Sequence, residues 1–209
     1  MSIPKSDEDR IDAESFIIGK PEWKDDGLWL GPYQLMSSSL KDWVTKGTEL
    51  LCERFAPRTV LECGFGLGYS ATVFQKYKVK HHVILEPNRE VYKSALKWKQ
   101  QNGYSNAEIL ALFSWEYDFG GIFDLVYDDR YDPVRIARNH EEYQKMCCAN
   151  TLVSTIPLEK KVERPEPSFF FEFNEKVYTQ PIFKYETNKD ELLPFFNGQP
   201  EDWNSTKLS

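Results

Sequence analysis

The chain has 209 residues, enough for a single three-layer domain. Hydrophobic residues at 41% and charged residues at 28% are ordinary for a globular protein, while aromatic residues at 15% are abundant. A net charge of −7 argues against a broad electrostatic grip on nucleic acid, which needs clustered Lys and Arg, and favours a small, cationic partner.

The polar start MSIPKSDEDRIDAES has no signal-peptide core, and no apolar run approaches the roughly 20 residues that cross a bilayer. These features predict a soluble, cytoplasmic protein without a membrane partner. The four cysteines, Cys52, Cys63, Cys147 and Cys148, show neither a CxxC pair nor zinc-type spacing with His. Buried free thiols are expected, and no metal.

In chain order, residues 1–15 read as a solvated arm, and residues 16–33, FIIGKPEWKDDGLWLGPY, as a packed loop of the kind that forms lids. Residues 34–55 space Leu35, Leu40, Val44, Leu50, Leu51 and Phe55 for a helix that Pro57 ends. TVLECGF then reads as strand, GFGLG as turn and YSATVFQKYK as helix. HHVILE is the next strand, and NREVYKSALKWKQQNG a helix closing at Gly103. AEILALF, FDLVYDD, the helix HEEYQKMCC and the run TLVSTIP continue the alternation. Strands alternating with helices predict a mostly parallel sheet covered on both faces. Beyond Pro157, SFFFEF and KVYTQPIFKYE read as an antiparallel pair at the sheet edge, and residues 188–209 as an irregular tail.

The motif that carries chemistry is VLECGFGLG, with Gly64, Gly66 and Gly68, followed by Glu86 18 residues beyond Gly68. Glycines at a strand-to-helix turn let backbone approach a ligand closely, and an acid after the next strand can hold the hydroxyls of a ribose. A dinucleotide would use the same geometry. Glu62, two residues before the first glycine, tilts the choice away from it: a carboxylate there repels a pyrophosphate but suits the cationic aminoacyl part of S-adenosylmethionine, directly or through water. The third glycine of GxGxxG is also missing, with Ser70 and Ala71 in its place. In the segment AEILALFSWEY, Ser114 or Glu116 is placed to bond an adenine amino group; Trp115 either covers the adenine or packs in the core.

Downstream, YDDRYDP puts Asp128, Asp129 and Asp132 at the carboxyl end of a strand, where open α/β sheets bind ligands. This acidic cluster is either a loop cap or a receptor for a cationic nucleophile. Methyl transfer from a sulfonium needs a nitrogen lone pair, and deprotonating a guanidinium of pKa about 12.5 at pH 7 costs about 7 kcal/mol. A buried carboxylate can take that proton while orienting the nitrogen. Asp128 is the first candidate.

Together these segments resemble the guanidinoacetate N-methyltransferases, from about residue 16 to residue 140. IIGKP and WLGPY resemble that family's lid, LECGFG its glycine motif, HHVILEPN its ribose-binding strand, and SWE and FDLVYDD its adenine-side and catalytic segments. The resemblance implies a Rossmann-like, three-layer class I methyltransferase sheet and S-adenosylmethionine as cofactor. It further implies Gly64 and Gly66 against the cofactor, Glu86 on the ribose, Asp128 as proton acceptor, and His140 either near the site or on a surface helix; Asp129 of the acidic cluster is a further catalytic candidate. Trp29 and Tyr33 of the lid, with Tyr131 beside the acidic cluster, are expected to line the acceptor's place. One departure stands out: the family's lid glutamate, in a Trp-Glu-Thr-Pro-Tyr segment, is replaced by Leu30, with Asp25 or Asp26 as possible substitutes. FDLVYDDRYDPV also resembles the catalytic strand of polyamine aminopropyltransferases, although the GFGLG loop does not, and a cofactor-binding protein without turnover is a third reading. The expected organisation is an arm and lid over residues 1–33, a methyltransferase domain over 34–187 and a tail over 188–209.

Overall fold

A computed structural model describes residues 13–117, 123–128, 151–155, 158–159, 168–174 and 176–184. It opens with a short helix, α1 (Ala13–Ile18), starting within the expected arm. An antiparallel meander follows: β1 (Glu22–Lys24), β2 (Gly27–Leu30) and β3 (Tyr33–Ser37). The expectation of a packed loop over residues 16–33 is thus corrected to a small three-stranded sheet. Glycine makes the pairing possible: Gly27 has φ +145°, and a Cβ there would stand 2.1 Å from the Met36 carbonyl oxygen. Only a residue without a side chain lets β2 and β3 close to this distance.

The same sheet corrects the start of the next helix. Residues 33–37, whose apolar positions also suit helical spacing, are drawn into β3, and the Ser38 amide donates to the Asp26 carbonyl at 2.9 Å. A 3-10 turn, Ser38–Leu40, then leads into α2 (Lys41–Phe55). The helix ends at Ala56, a left-handed residue with φ 44° and ψ 51°, just before Pro57.

The main sheet follows the predicted alternation. Its parallel strands are β4 (Thr59–Cys63), β5 (His81–Leu85), β6 (Ala107–Leu110), β7 (Leu125–Asp128) and β8 (Leu152–Thr155), with α3 (Tyr69–Lys76) and α4 (Arg89–Asn102) between the first three. Beyond them β9 (Leu158–Glu159) and β10 (Ser168–Phe173) both pair with β11 (Lys176–Lys184), which runs antiparallel to β8. The order β10-β11-β8-β7-β4-β5-β6 is the mostly parallel sheet with an antiparallel edge that the sequence predicts.

Side-chain alternation divides the core. On one face Val60, Leu125 and Tyr127 meet Leu51 and Cys52 of α2 and Val73 and Phe74 of α3, while Ile84 and Ile109 meet Val91 and Ala95 of α4. On the other, Leu61, Cys63, Val83, Leu85, Val126 and Val153 pack against Tyr117 and Phe123. Cys52 and Cys63 are buried thiols, and burial pushes the Cys52 thiol up to about 12, which disfavours the reactive thiolate. Among the described residues no helix is long and apolar enough to cross a membrane. Residues 1–12, the helix expected around His140, the pair Cys147 and Cys148, and the tail lie outside the described residues.

One topological fact positions the site. From β4 the chain steps outward through β5 to β6, then returns to the opposite side of β4 as β7. Strand order thus reverses between β4 and β7, the kind of switch point at which open α/β sheets form a ligand crevice at the carboxyl ends of their strands.

Candidate active site

The floor of this crevice is the turn after β4. Cys63 is in register with Leu85 on one side and Asp128 on the other. Gly64 donates its amide to the Leu85 carbonyl at 2.8 Å, and the Gly68 amide closes a tight turn on the Phe65 carbonyl at 2.8 Å. Gly64, Gly66 and Gly68 have φ of 95°, 53° and 71°, so every glycine of the predicted loop takes a positive-φ conformation that a side chain would strain. It leads directly into α3.

Glu86 follows β5 at the next mouth of the sheet. It is 4% exposed. Its Oε2 accepts the Phe65 amide at 3.0 Å and its Oε1 the Asn88 amide at 2.9 Å, which locks the predicted ribose acid against the glycine loop. Burial pushes its carboxyl up to about 7, against the backbone amides of Phe65, Asn88 and Gly66, which favour the ionised form.

Glu62 lies beneath the loop rather than along it. It is completely buried: one carboxylate oxygen accepts from the Ser70 hydroxyl, and the other lies 2.9 Å from Nε2 of His82, whose Nδ1 is 3.1 Å from the Gln75 amide nitrogen. Ser70 stands in the first turn of α3, so this network pins the helix start to β4 and β5. His82 carries no motif of its own, and sequence reasoning missed it; an ionisable residue amid the apolar run HHVILE was the available signal.

The small sheet reaches the crevice through Met36. This buried side chain accepts the Leu67 amide on Sδ at 3.1 Å, and a Cβ on Gly66 would stand 2.7 Å from the same sulfur. Leu30, which the resemblance sets in place of the family's lid acid, is buried, and a Cβ on Gly19 would approach its Cδ1 to 2.6 Å. Trp29 alternates to the other side of β2, where its indole N–H donates to Asp26 Oδ1 at 2.9 Å and Lys24 Nζ lies 5.2 Å from the ring centre. Tyr33 is half-buried opposite Leu30, and Asp25 and Asp26 are exposed on the β1–β2 turn.

Beyond β6, Ser114–Glu116 forms a 3-10 turn that contains Trp115 and keeps Ser114 buried. The Glu116 carboxylate is engaged within this turn, accepting the Phe113 amide at 2.7 Å. Phe113 meets Phe16 of α1 at 6.3 Å between ring centres, bringing the N-terminal segment alongside the expected adenine side. Asn88 strengthens that junction: its Nδ2 donates to the carbonyls of Phe16 and Gly19. Neither Asn88 nor Met36 was singled out from the sequence.

Asp128 ends β7 at 1% exposure, on the same face as Val126. The structure thus gathers the glycine loop, Glu86 and Asp128 around β4. Asp129, Tyr131, Asp132 and His140 lie outside the described residues.

These residues fit S-adenosylmethionine on two observations. The loop turns tightly through three positive-φ glycines into α3, and the buried acceptor beside it is a carboxylate, which suits ribose hydroxyls and no anionic ligand group. Fold and site together define a class I, S-adenosylmethionine-dependent methyltransferase. Residues 9–122, more than half the chain, match the family described as guanidinoacetate N-methyltransferase, and the chain belongs to it. Solved structures share the fold. The yhhF protein of Escherichia coli, described as a methyltransferase, is 15% identical with TM-score 0.52 over 68% of this chain and 86% of its own. The HI0767 protein of Haemophilus influenzae, described as a methylase, is 17% identical with TM-score 0.52 over 70% and 99%. The N-methyltransferase NodS of Bradyrhizobium japonicum WM9 is 12% identical with TM-score 0.51 over 68% and 94%.

Proposed function

We propose that this methyltransferase acts on a guanidino or amino nitrogen of a small cationic molecule, with Asp128 accepting the proton that the nitrogen loses. The observation that supports this reading is the placement of Asp128: a carboxylate 1% exposed at the end of β7, in register with the residue that immediately precedes the glycine loop. A carboxylate so placed attracts a cationic acceptor, orients its nitrogen and takes its proton.

When bound, S-adenosylmethionine supplies an electrophilic methyl group on a sulfonium. Gly64, Gly66 and Gly68 give it backbone to lie against, and Glu86 accepts from its ribose hydroxyls. Ser114 and Trp115 belong to the adenine side. Glu62, held by Ser70 and His82, acts on the cationic aminoacyl group through its field from beneath the loop rather than by contact. Trp29, Tyr33 and Tyr131 are assigned to the acceptor, and Asp129 and His140 to the same catalytic edge. The domain limits of 34–187, with the lid before and a tail after, belong to this proposal. The family's name points to guanidinoacetate. Leu30, where the family's lid carries a glutamate, widens the acceptor class to other guanidines and amines.

The test is calorimetric titration with S-adenosylmethionine, S-adenosylhomocysteine and decarboxylated S-adenosylmethionine, followed by a screen for S-adenosylhomocysteine release over guanidino and amino compounds. Binding of the first two with turnover on a guanidine or amine supports the proposal. Preference for the decarboxylated cofactor would move the protein to aminopropyl transfer, and binding without turnover on any acceptor to a cofactor-binding role.

A further inference from the structure

Asn88 is buried completely, and every polar atom of its side chain and backbone is hydrogen-bonded. Its backbone N–H donates to Glu86 Oε1 at 2.9 Å. Its carbonyl accepts the Tyr92 amide at 2.8 Å, the first turn of α4. Its Oδ1 caps that helix, accepting the Glu90 and Val91 amides, each at 3.1 Å. The two hydrogens of Nδ2 then go to the Phe16 and Gly19 carbonyls at 2.6 and 3.0 Å.

The last pair is what a cap alone does not require. Serine, threonine or aspartate would cap α4 as well, but only a carboxamide offers an acceptor to one helix and two donors to another segment at once. Phe16 and Gly19 sit at the C-terminal end of α1, where carbonyls lack partners within the helix. Asn88 supplies both. The same residue thus touches the carboxylate of Glu86 through its main chain and the entrance segment through its side chain.

We propose that Asn88 is a positioning residue that latches α1 to the ribose acid, so that the docking of the N-terminal segment and the placement of Glu86 are one event. The inference rests on the assignment of Glu86 to the cofactor. Loosening α1 then weakens cofactor binding although α1 itself need not touch the cofactor, and bound cofactor protects α1.

Two variants test the latch in the full chain. Asn88→Ser keeps a cap acceptor for α4 and removes both donors; Asn88→Asp keeps a stronger cap and sets a carboxylate against the two carbonyls. Hydrogen–deuterium exchange is followed over residues 13–21 and over α4, and the cofactor dissociation constant is measured by calorimetry. The latch requires at least tenfold faster exchange over residues 13–21 in both variants, with α4 still protected, and about tenfold weaker S-adenosylmethionine binding. Unchanged exchange over residues 13–21 with α4 intact would overturn it, as would loosened α1 with cofactor affinity unaltered. If the wild-type chain failed to bind the cofactor, the assignment of Glu86 would fall instead; the exchange result alone would then decide whether Asn88 holds α1.

Discussion

The carboxylate of Glu86 reaches across the mouth between β4 and β5 to accept the Phe65 amide at 3.0 Å. Two predicted elements of the cofactor site, the glycine loop and the ribose acid, are thereby bonded to each other, and the loop's geometry depends on the charge state of that acid.

Because burial raises the Glu86 carboxyl to about 7, the folded protein retains a proton there that the unfolded chain gives up nearer the ordinary carboxylate value of 4.5. Its contribution to stability is full below about 4.5 and is lost as pH rises through about 7. Ribose hydroxyls, in contrast, donate best to the ionised form. S-adenosylmethionine affinity should therefore climb between pH 6 and 8, and binding near pH 6.5 should release up to about one proton. Calorimetry in buffers of different ionisation enthalpy measures the release; Glu86→Gln should bind more weakly and abolish it.

Asp128→Asn keeps the shape of the β7 end and removes the proton acceptor. Turnover should fall by about 100- to 10,000-fold, the range for general-base catalysis, while cofactor affinity stays within about twofold. Single-turnover kinetics with calorimetry separates the two. Equal loss of binding and transfer would place Asp128 in the cofactor site instead.

Leu30→Glu restores the acid found in the family's lid, but at a site packed against Gly19. The expected result is destabilisation by at least about 2 kcal/mol, because a buried carboxylate without partners is costly. Urea denaturation gives the value. A gain in guanidine turnover without loss of stability would show that the side chain reaches the acceptor.

Ala56 closes α2 with φ 44°, a conformation that disfavours a Cβ. Ala56→Gly should stabilise the protein by about 1 kcal/mol, read as a raised denaturation midpoint with activity unchanged.

The main sheet was legible because its strands are apolar runs punctuated by glycine and separated by helices of 8 and 14 residues, with signals at Gly68 and Gly103. The small sheet was not. Its strands are three to five residues long, and Leu35 and Met36 suit helical spacing as well as strand pairing; only the contact of β3 with β2 decides. The site divides the same way. The glycines and Glu86 follow from a local spacing, whereas Met36 and Asn88 act on partners 31 and 72 residues distant. His82 meets Glu62 from the neighbouring strand, 20 residues on.

Gly27 is no part of the glycine loop, yet any side chain there collides with the backbone carbonyl of Met36, whose sulfur rests on that loop. A substitution at this position would be misread in a genetic screen: a lesion in a surface hairpin would present as impaired cofactor use. Raising the cofactor concentration, rather than the acceptor concentration, should relieve it.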